Sequence, residues 1–132
     1  MLLPDGSSVW LNSGSRLTYD SSYGNSLREV TLTGEAFFDV AKNKQKPFII
    51  HTGNINIRVL GTSFNVKSYP GDKTIETSLI QGKIEVTFKD HSLSTVILRP
   101  NQKLVVENRA EEPDPHKGTA GSQTPKTAVV IN

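Results

Sequence analysis

Apolar and polar residues alternate with a period of two along almost the whole chain, and β-branched or aromatic residues hold most of the apolar positions. No stretch sustains the three-to-four-residue spacing of apolar positions that an amphipathic helix needs. The pattern therefore predicts an all-β domain. The expected strands are Ser8–Leu11, Arg16–Tyr19, Arg28–Leu32, Ala36–Val40, Phe48–Thr52, Ile55–Leu60, Ser63–Ser68, Thr74–Ile80, Lys83–Phe88, Ser94–Leu98 and Lys103–Glu107.

One local arrangement recurs along the chain: two apolar positions one residue apart, a break, and two more such positions. The breaks fall at Gly14, Gly34, Gly61, Gly82 and Pro100-Asn101, about 20 residues apart with one longer step between Gly34 and Gly61, which is within the range of stacked repeats. A solenoid-like or double-stranded β-helix fold would produce this regularity. An antiparallel β-sandwich with strands of similar length would produce it equally well, so both folds stay open.

Two connections carry specific turn chemistry. Tyr69-Pro70-Gly71-Asp72 predicts a type II turn, in which proline presets φ at the second position and glycine adopts positive φ at the third. Lys89-Asp90-His91-Ser92 is typical of a hairpin loop.

The 132 residues suit one domain. We expect a β domain over residues 1–108, a flexible Pro- and Gly-rich linker over 109–127, and at 128–132 the start of a further strand or of a following subdomain. No apolar run approaches the roughly 20 residues of a membrane-spanning helix. Because Met1 is followed at once by a turn-like segment, we interpret it as an artificial start and expect any membrane anchor outside this segment.

Composition narrows the possible chemistry. Fifteen Lys and Arg residues against thirteen Asp and Glu give a net charge of +2, and the basic residues are scattered, which argues against nucleic-acid binding. Cysteine is absent, so disulfides and cysteine-ligated zinc are excluded. The histidines His51, His91 and His116 are far apart in an expected strand, turn and linker. We therefore expect neither a metal site nor a cofactor.

Glu35 and Asp39 share one face of an expected strand, as paired acid and base carboxylates must. Four residues of strand separate them by about 13 Å, which is too far for a two-carboxylate glycosidase site. With Ala36, Phe38 and Val40 turned inward, both carboxylates should face solvent. We expect no catalytic residue here.

Other functional motifs are equally weak. Asn12-Ser13-Gly14-Ser15 lacks the context of a nucleophile elbow, and Gly61-Thr62-Ser63 leads into a strand instead of a helix, so it is no phosphate loop. The run of Lys42, Lys44 and Lys46 is more typical of a solvated connection than of a contact with an acidic partner. The sequence thus predicts a protein without enzymatic activity.

Five sequence blocks, in order and together covering about residues 3–107, resemble the FecR family of anti-sigma regulators. Its opening resembles LPDGSSVWLN at 3–12, with Ser15-Arg16-Leu17 after it, and its central signature resembles REVTLTGEAFFDV at 28–40, with KPFII at 46–50. The remaining blocks are VLGTSFNV at 59–66, LIQGKIEV at 79–86 and LRPNQ at 98–102.

The resemblance implies the periplasmic domain of an inner-membrane protein. In this family, a cytoplasmic segment holds an extracytoplasmic-function sigma factor, and one helix crosses the membrane. The periplasmic domain meets the signalling domain of a TonB-dependent outer-membrane transporter. Neither the cytoplasmic segment nor the membrane helix is in this sequence, so no residue here is assigned to either partner.

Within the signature, Gly34, Gly61 and Gly82 are expected to shape the breaks. Packing candidates are Phe38, Phe48, Phe64 and Val66. The alternative function is a carbohydrate-binding β domain, which needs a groove lined by exposed aromatic rings. The polar-tipped aromatic candidates for such a groove are Trp10, Tyr19, Tyr23 and Tyr69.

Overall fold

The structure is a computed structural model that describes residues 1–89, 91–108 and 128–131. The described residues form eleven β-strands and no helix, which confirms the all-β prediction. The strands are β1 Ser8–Leu11, β2 Arg16–Thr18, β3 Arg28–Asp39, β4 Phe48–Thr52, β5 Ile55–Val59, β6 Ser63–Ser68, β7 Thr74–Gln81, β8 Ile84–Phe88, β9 His91–Leu98, β10 Lys103–Glu107 and β11 Ala128–Ile131.

The long strand β3 organises the sheet. Along one edge it pairs with β1 and β2, and on the other edge its first half pairs with β4 and its second half with β6. From this point the sheet divides into two arms. The first arm runs β6-β7-β10-β11, and the second arm runs β4-β5-β8-β9. The named strands pair antiparallel except for β3 with β4, which are parallel.

The two arms face each other across one apolar core. The four packing candidates are fully buried, as predicted: Phe38, Phe48, Phe64 and Val66. The rings of Phe38 and Phe64 stack at 5.1 Å, and Phe38 meets Phe48 of the second arm edge-on at 6.1 Å. A buried hydrogen bond of 2.8 Å from Thr52 Oγ1 to Ser68 Oγ also joins the arms.

The breaks seen in the sequence are the places where the chain passes from one side of the core to the other. Gly14 lies between β1 and β2, Gly34 inside β3, Gly61 between β5 and β6, Gly82 between β7 and β8, and Asn101 between β9 and β10. Successive copies pair antiparallel and in chain order: β1 and β2 pair with β3, β3 with β6, β6 and β5 with β7 and β8, and β7 and β8 with β10 and β9. The regularity therefore reflects bent strands that each pair antiparallel with the next copy around one core, in a large mixed sheet that is nearly closed into a barrel.

The sequence predicted two strands separated at Gly34, but β3 continues through it. Gly34 has φ 107°, and a Cβ atom there would lie 2.8 Å from Ser15 Cα. Because glycine absorbs the bend, the ladders with β1, β2 and β6 need not stop. Apart from this fusion, the observed strand ends differ from the expected ones by at most three residues.

The turn after β6 corrects a second expectation. The Asp72 N–H donates to the Tyr69 carbonyl at 3.0 Å, so a turn is present. Gly71 does not adopt positive φ, and the type II assignment is therefore wrong. Pro70 suits a type I turn equally well, because both types require the same φ at that position.

His91 belongs to β9 and not to a hairpin loop. It pairs with Phe88, and the register shifts between Thr87 and Phe88. This irregularity lets pairing extend beyond the predicted strand start at Ser94.

Ala128–Ile131 forms β11, which pairs with β10 at the end of the first arm. The expected linker over 109–127 lies outside the described residues, and the division into domain, linker and following element stays a prediction.

Candidate functional site

Glu35 and Asp39 lie on the outer face of β3, as expected, and each is tied to neighbouring strands or connections. Glu35 accepts hydrogen bonds from Asn65 Nδ2 at 3.0 Å and Asn12 Nδ2 at 2.8 Å, and these bonds hold its pKa below the usual value. Asp39 accepts one from Ser63 Oγ at 3.0 Å. Glu35, kept ionised in this way, is a poor proton donor, and the hydrogen bonds of both carboxylates tie β3 to neighbouring segments.

His51 is the histidine whose surroundings the structure shows. Its Nε2 lies 3.1 Å from Glu29 Oε2, and its Nδ1 lies 2.8 Å from Asn56 Oδ1. Within residues 1–89, 91–108 and 128–131, no group of three or more His, Asp or Glu side chains is placed to hold a metal ion. His116 lies outside these ranges.

The lysine run follows β3 at one end of the core. Lys46 Nζ donates to the Gly24 carbonyl at 2.9 Å, so this lysine holds two connections together. Lys42 and Lys44 are exposed. A solvated, charged connection describes the segment, and contact with an acidic partner stays untested.

The aromatic candidates occupy three separate places. Trp10 is 55% exposed and packs against Phe37 on the outer face beside the first arm, with ring centroids 5.5 Å apart. Tyr69 donates through its hydroxyl to the Ser13 carbonyl at 2.9 Å. The structure brings together only Tyr19 and Tyr23, whose ring centroids are 5.0 Å apart.

Arg28 was missed in the sequence, although its position carried a signal: it alternates in phase with the buried Val30 and Leu32. The side chain is 1% exposed. Its guanidinium lies 5.6 Å from the centroid of the Phe48 ring. It donates at 2.7–2.8 Å to the Asp5 carboxylate and to the carbonyls of Ala41 and Lys46, and at 3.4 Å to those of Asn43 and Leu60.

Asp5 is the counter-charge of Arg28. Burial alone would raise the pKa of Asp5, but hydrogen bonds from Arg28, Ser7 and Tyr23 outweigh it and hold the pKa below the usual value. Burial and the neighbouring Asp5 carboxylate raise the pKa of the Tyr23 phenol. The pair therefore remains ionised, with Tyr23 as a neutral donor at 2.9 Å.

We call Asp5, Ser7, Tyr23 and Arg28 the buried clasp. Besides Asp5, Ser7 Oγ binds the Ala41 N–H at 2.9 Å. The clasp thereby joins the N-terminal residues 1–9, the 19–27 connection and the 41–47 connection. Most of these residues lie between the expected strands, and only the three-dimensional structure shows that one ion pair and its hydrogen bonds join all three segments.

Beside the clasp lies a surface depression of about 560 Å³, which we call the polar groove. It is bounded by the end of β2, the 19–27 connection, the start of β3 and one residue of β4. The lining residues are Thr18, Tyr19, Asp20, Ser22, Tyr23, Asn25, Ser26, Leu27, Glu29, Val30, Thr31 and His51.

The two arms end in strands with open edges. Among the described residues, β9 pairs only with β8, and β11 pairs only with β10. The β9 sequence, HSLSTVIL, contains no Lys, Arg, Asp, Glu, Pro or Gly. Ile97 on its outer face is 41% exposed. Natural sheets usually protect such edges with charges, proline or a covering element, so the β9 edge is a candidate docking place.

Among the described residues there is no helix, and so none long and apolar enough to cross a membrane.

The comparisons with known proteins agree with the sequence resemblance to the FecR family. A family model described as FecR protein matches residues 1–85. Two crystal structures of a "putative anti-sigma factor" from Parabacteroides distasonis ATCC 8503 superpose with a TM-score of 0.76 at 39% sequence identity. Each match covers 85% of this chain and 51% of the other, so the chain spans about half the length of these proteins. No curated protein matches the chain.

Proposed function

The chain belongs to the FecR family, and we propose that it is the periplasmic relay domain of a transmembrane anti-sigma factor. The observation that carries the proposal is the family match over residues 1–85 together with 39% identity to a structure described as a putative anti-sigma factor. This family is regulatory and is not normally enzymatic. Its role is to pass a signal, and the working part of such a domain is its surface.

In the proposed pathway, the signal comes from the periplasmic signalling domain of a TonB-dependent outer-membrane transporter. It passes to an extracytoplasmic-function sigma factor through a membrane helix and a cytoplasmic segment. The matched structures are about twice as long as the matched region. The sigma factor is assigned to no residue of this chain.

The contact with the transporter domain is proposed to form by strand addition at the β9 edge. A partner strand there would satisfy backbone groups that no described strand pairs. The edge has no charged side chain to repel a neighbour, and Ile97 offers an apolar contact beside it. Backbone pairing would supply affinity, and the alternating side chains would supply selectivity.

The test is direct binding, by surface plasmon resonance, between this protein extended at its C-terminus and the signalling domain of its cognate transporter. We expect saturable binding that weakens at least about tenfold in Ile97→Lys, equivalent to about 1.4 kcal/mol. The matched control is Thr33→Lys. Thr33 is also exposed, and its replacement by lysine adds the same charge. It lies on β3, which has paired strands along both edges.

Absence of binding by the extended protein would count against the relay itself. Equal weakening by Ile97→Lys and Thr33→Lys would leave the relay standing but contradict docking at the β9 edge. Thermal unfolding of both variants should match the parent protein, which ensures that affinity and not folding is measured.

A further inference from the structure

The polar groove has the size of a small-molecule site. Its volume of about 560 Å³ falls within the range of roughly 300–1,000 Å³ for ligand pockets. It lies between the second arm and the 19–27 connection, away from the open edge of β9. A ligand there would be independent of the strand addition proposed above.

The lining chemistry disfavours two ligand classes, purely apolar molecules and anions. Ten of the twelve lining residues carry hydroxyl, amide, carboxyl or imidazole groups, and Leu27 and Val30 are the apolar exceptions. A ligand without hydrogen-bonding groups would match only part of this lining, because its accessible surface combines carbon atoms and polar atoms in similar amounts. The lining also contains no Lys or Arg and two carboxylates, Asp20 and Glu29. An anionic ligand would meet repulsion with no free cation to offset it.

The two carboxylates are already engaged, which argues against a cation as the ligand. Glu29 lies 3.1 Å from the His51 imidazole. Asp20 accepts hydrogen bonds from the Ser22 N–H at 2.9 Å and from the Ser22 hydroxyl at 2.6 Å. Remaining lone pairs on these oxygens suit hydroxyl donors, so a neutral polyhydroxylated molecule is the class that fits.

Tyr19 adds the apolar surface that sugar recognition needs. Tyr19 is 43% exposed as a residue, and its ring lies against Tyr23, with ring centroids 5.0 Å apart. Tyr23 is itself fixed by the Asp5 carboxylate and by an edge contact of 6.2 Å with Phe48. Tyr19 is thus supported from behind, and a supported aromatic ring loses little entropy when a ligand stacks on it.

The polar side of the groove is also held in place. Glu29 and His51 lie on the paired strands β3 and β4, and Asn56 of β5 lies 2.8 Å from His51 Nδ1. Hydrogen-bonding groups on sheet strands are positioned more accurately than groups on loops. Three features carry the proposal: the supported Tyr19 ring, the hydrogen-bonded series Glu29–His51–Asn56, and a lining without Lys or Arg. We propose that the polar groove binds a neutral oligosaccharide.

The test is titration of the ¹⁵N-labelled protein with maltohexaose, cellohexaose, xylohexaose and mannohexaose, each to about 10 mM, a range that detects millimolar dissociation constants. With at least one oligosaccharide we expect saturable shifts concentrated in the amides of residues 18–31 and His51. Tyr19→Ala should weaken that binding about tenfold. Trp10→Ala, which removes an exposed aromatic ring elsewhere, should leave it unchanged.

Glu29→Gln provides a second probe that preserves volume and does not depend on the fold tolerating loss of Tyr19. It should weaken binding at least about threefold. No groove shift with any of the four oligosaccharides would overturn the proposal, and so would binding that Tyr19→Ala and Glu29→Gln leave intact. Equal losses in Tyr19→Ala and Trp10→Ala would also contradict it, because they would place the sugar elsewhere.

Discussion

The buried clasp allows a quantitative prediction, because Asp5 is the only carboxylate that the structure places against the buried Arg28 guanidinium. In Asp5→Asn the side chain keeps its shape but loses its charge. Arg28, which is 1% exposed, then faces only neutral acceptors. Removing one partner of a buried pair costs about 3–5 kcal/mol. Since Asp5 is 20% exposed and the carbonyls remain, we expect the lower end, about 3 kcal/mol.

The matched control is Glu85→Gln, which removes the partner of Arg58. That pair is 3.4 Å apart, and its side chains are 49% and 36% exposed. An exposed pair contributes less than about 1 kcal/mol. The same charge change should therefore have very different effects at the two sites.

The assay is urea unfolding with linear extrapolation. Asp5→Asn should lower the midpoint without changing the slope, because the amount of surface exposed on unfolding is the same. Hydrogen exchange should also become faster in residues 1–9, which the clasp holds. In an Arg28→Met background, Asp5→Asn should cost less than about 1 kcal/mol, since its effect acts through Arg28. A cost for Asp5→Asn no larger than that of Glu85→Gln would refute the reasoning.

Three further predictions concern pH, backbone and core. The pKa of Asp5 is lowered in the folded protein, so the stabilisation by its carboxylate is present above the unfolded pKa of about 3.9 and is lost as pH falls through the folded pKa. The difference in unfolding free energy between the parent and Asp5→Asn should therefore shrink in urea titrations below about pH 4. A difference that stays constant with pH would contradict this. Gly34→Ala should lower the free energy of unfolding by about 2–5 kcal/mol, because the positive φ and the contact with Ser15 both disfavour a Cβ atom. Gly71→Ala has neither problem, so its stability should lie within about 0.5 kcal/mol of the parent or above it. Equal unfolding midpoints for the two variants would disprove the strain at Gly34. Phe64→Ala should cost about 3–5 kcal/mol, measured by thermal unfolding, and a loss below about 1 kcal/mol would show that the core collapses around the gap.

Much of the local structure could be predicted, because successive side chains of a strand point to opposite faces and apolar residues therefore alternate with polar ones. In β3, the even-numbered positions Val30, Leu32, Ala36 and Phe38 are all buried, as period two requires. The breaks were equally visible, since a chain that crosses a core repeatedly must bend at regular intervals. What the sequence could not show was that a bend need not end a strand, as at Gly34.

The strand order was beyond local reasoning. β3 and β4 are parallel, and β7 pairs with β10 across an intervening hairpin. Such pairings depend on which apolar faces close the core together, and many orders satisfy the same alternation. The polar groove depends in turn on the path of residues 19–27, a segment without periodicity. The sequence singled out Tyr19 and Tyr23 as aromatic candidates but gave no reason to separate them from Trp10 and Tyr69.

The clasp and the core affect how loss-of-signalling mutants should be interpreted. A domain of this size has a total stability of about 5–15 kcal/mol, so a substitution costing about 3 kcal/mol at Asp5 or Phe64 removes a large part of it. Such a variant can lose signalling without touching any partner. Ile97 is different, because its side chain is exposed and its charge variant should unfold like the parent. Only defects at unchanged stability, compared with Thr33→Lys, locate a docking surface on this domain.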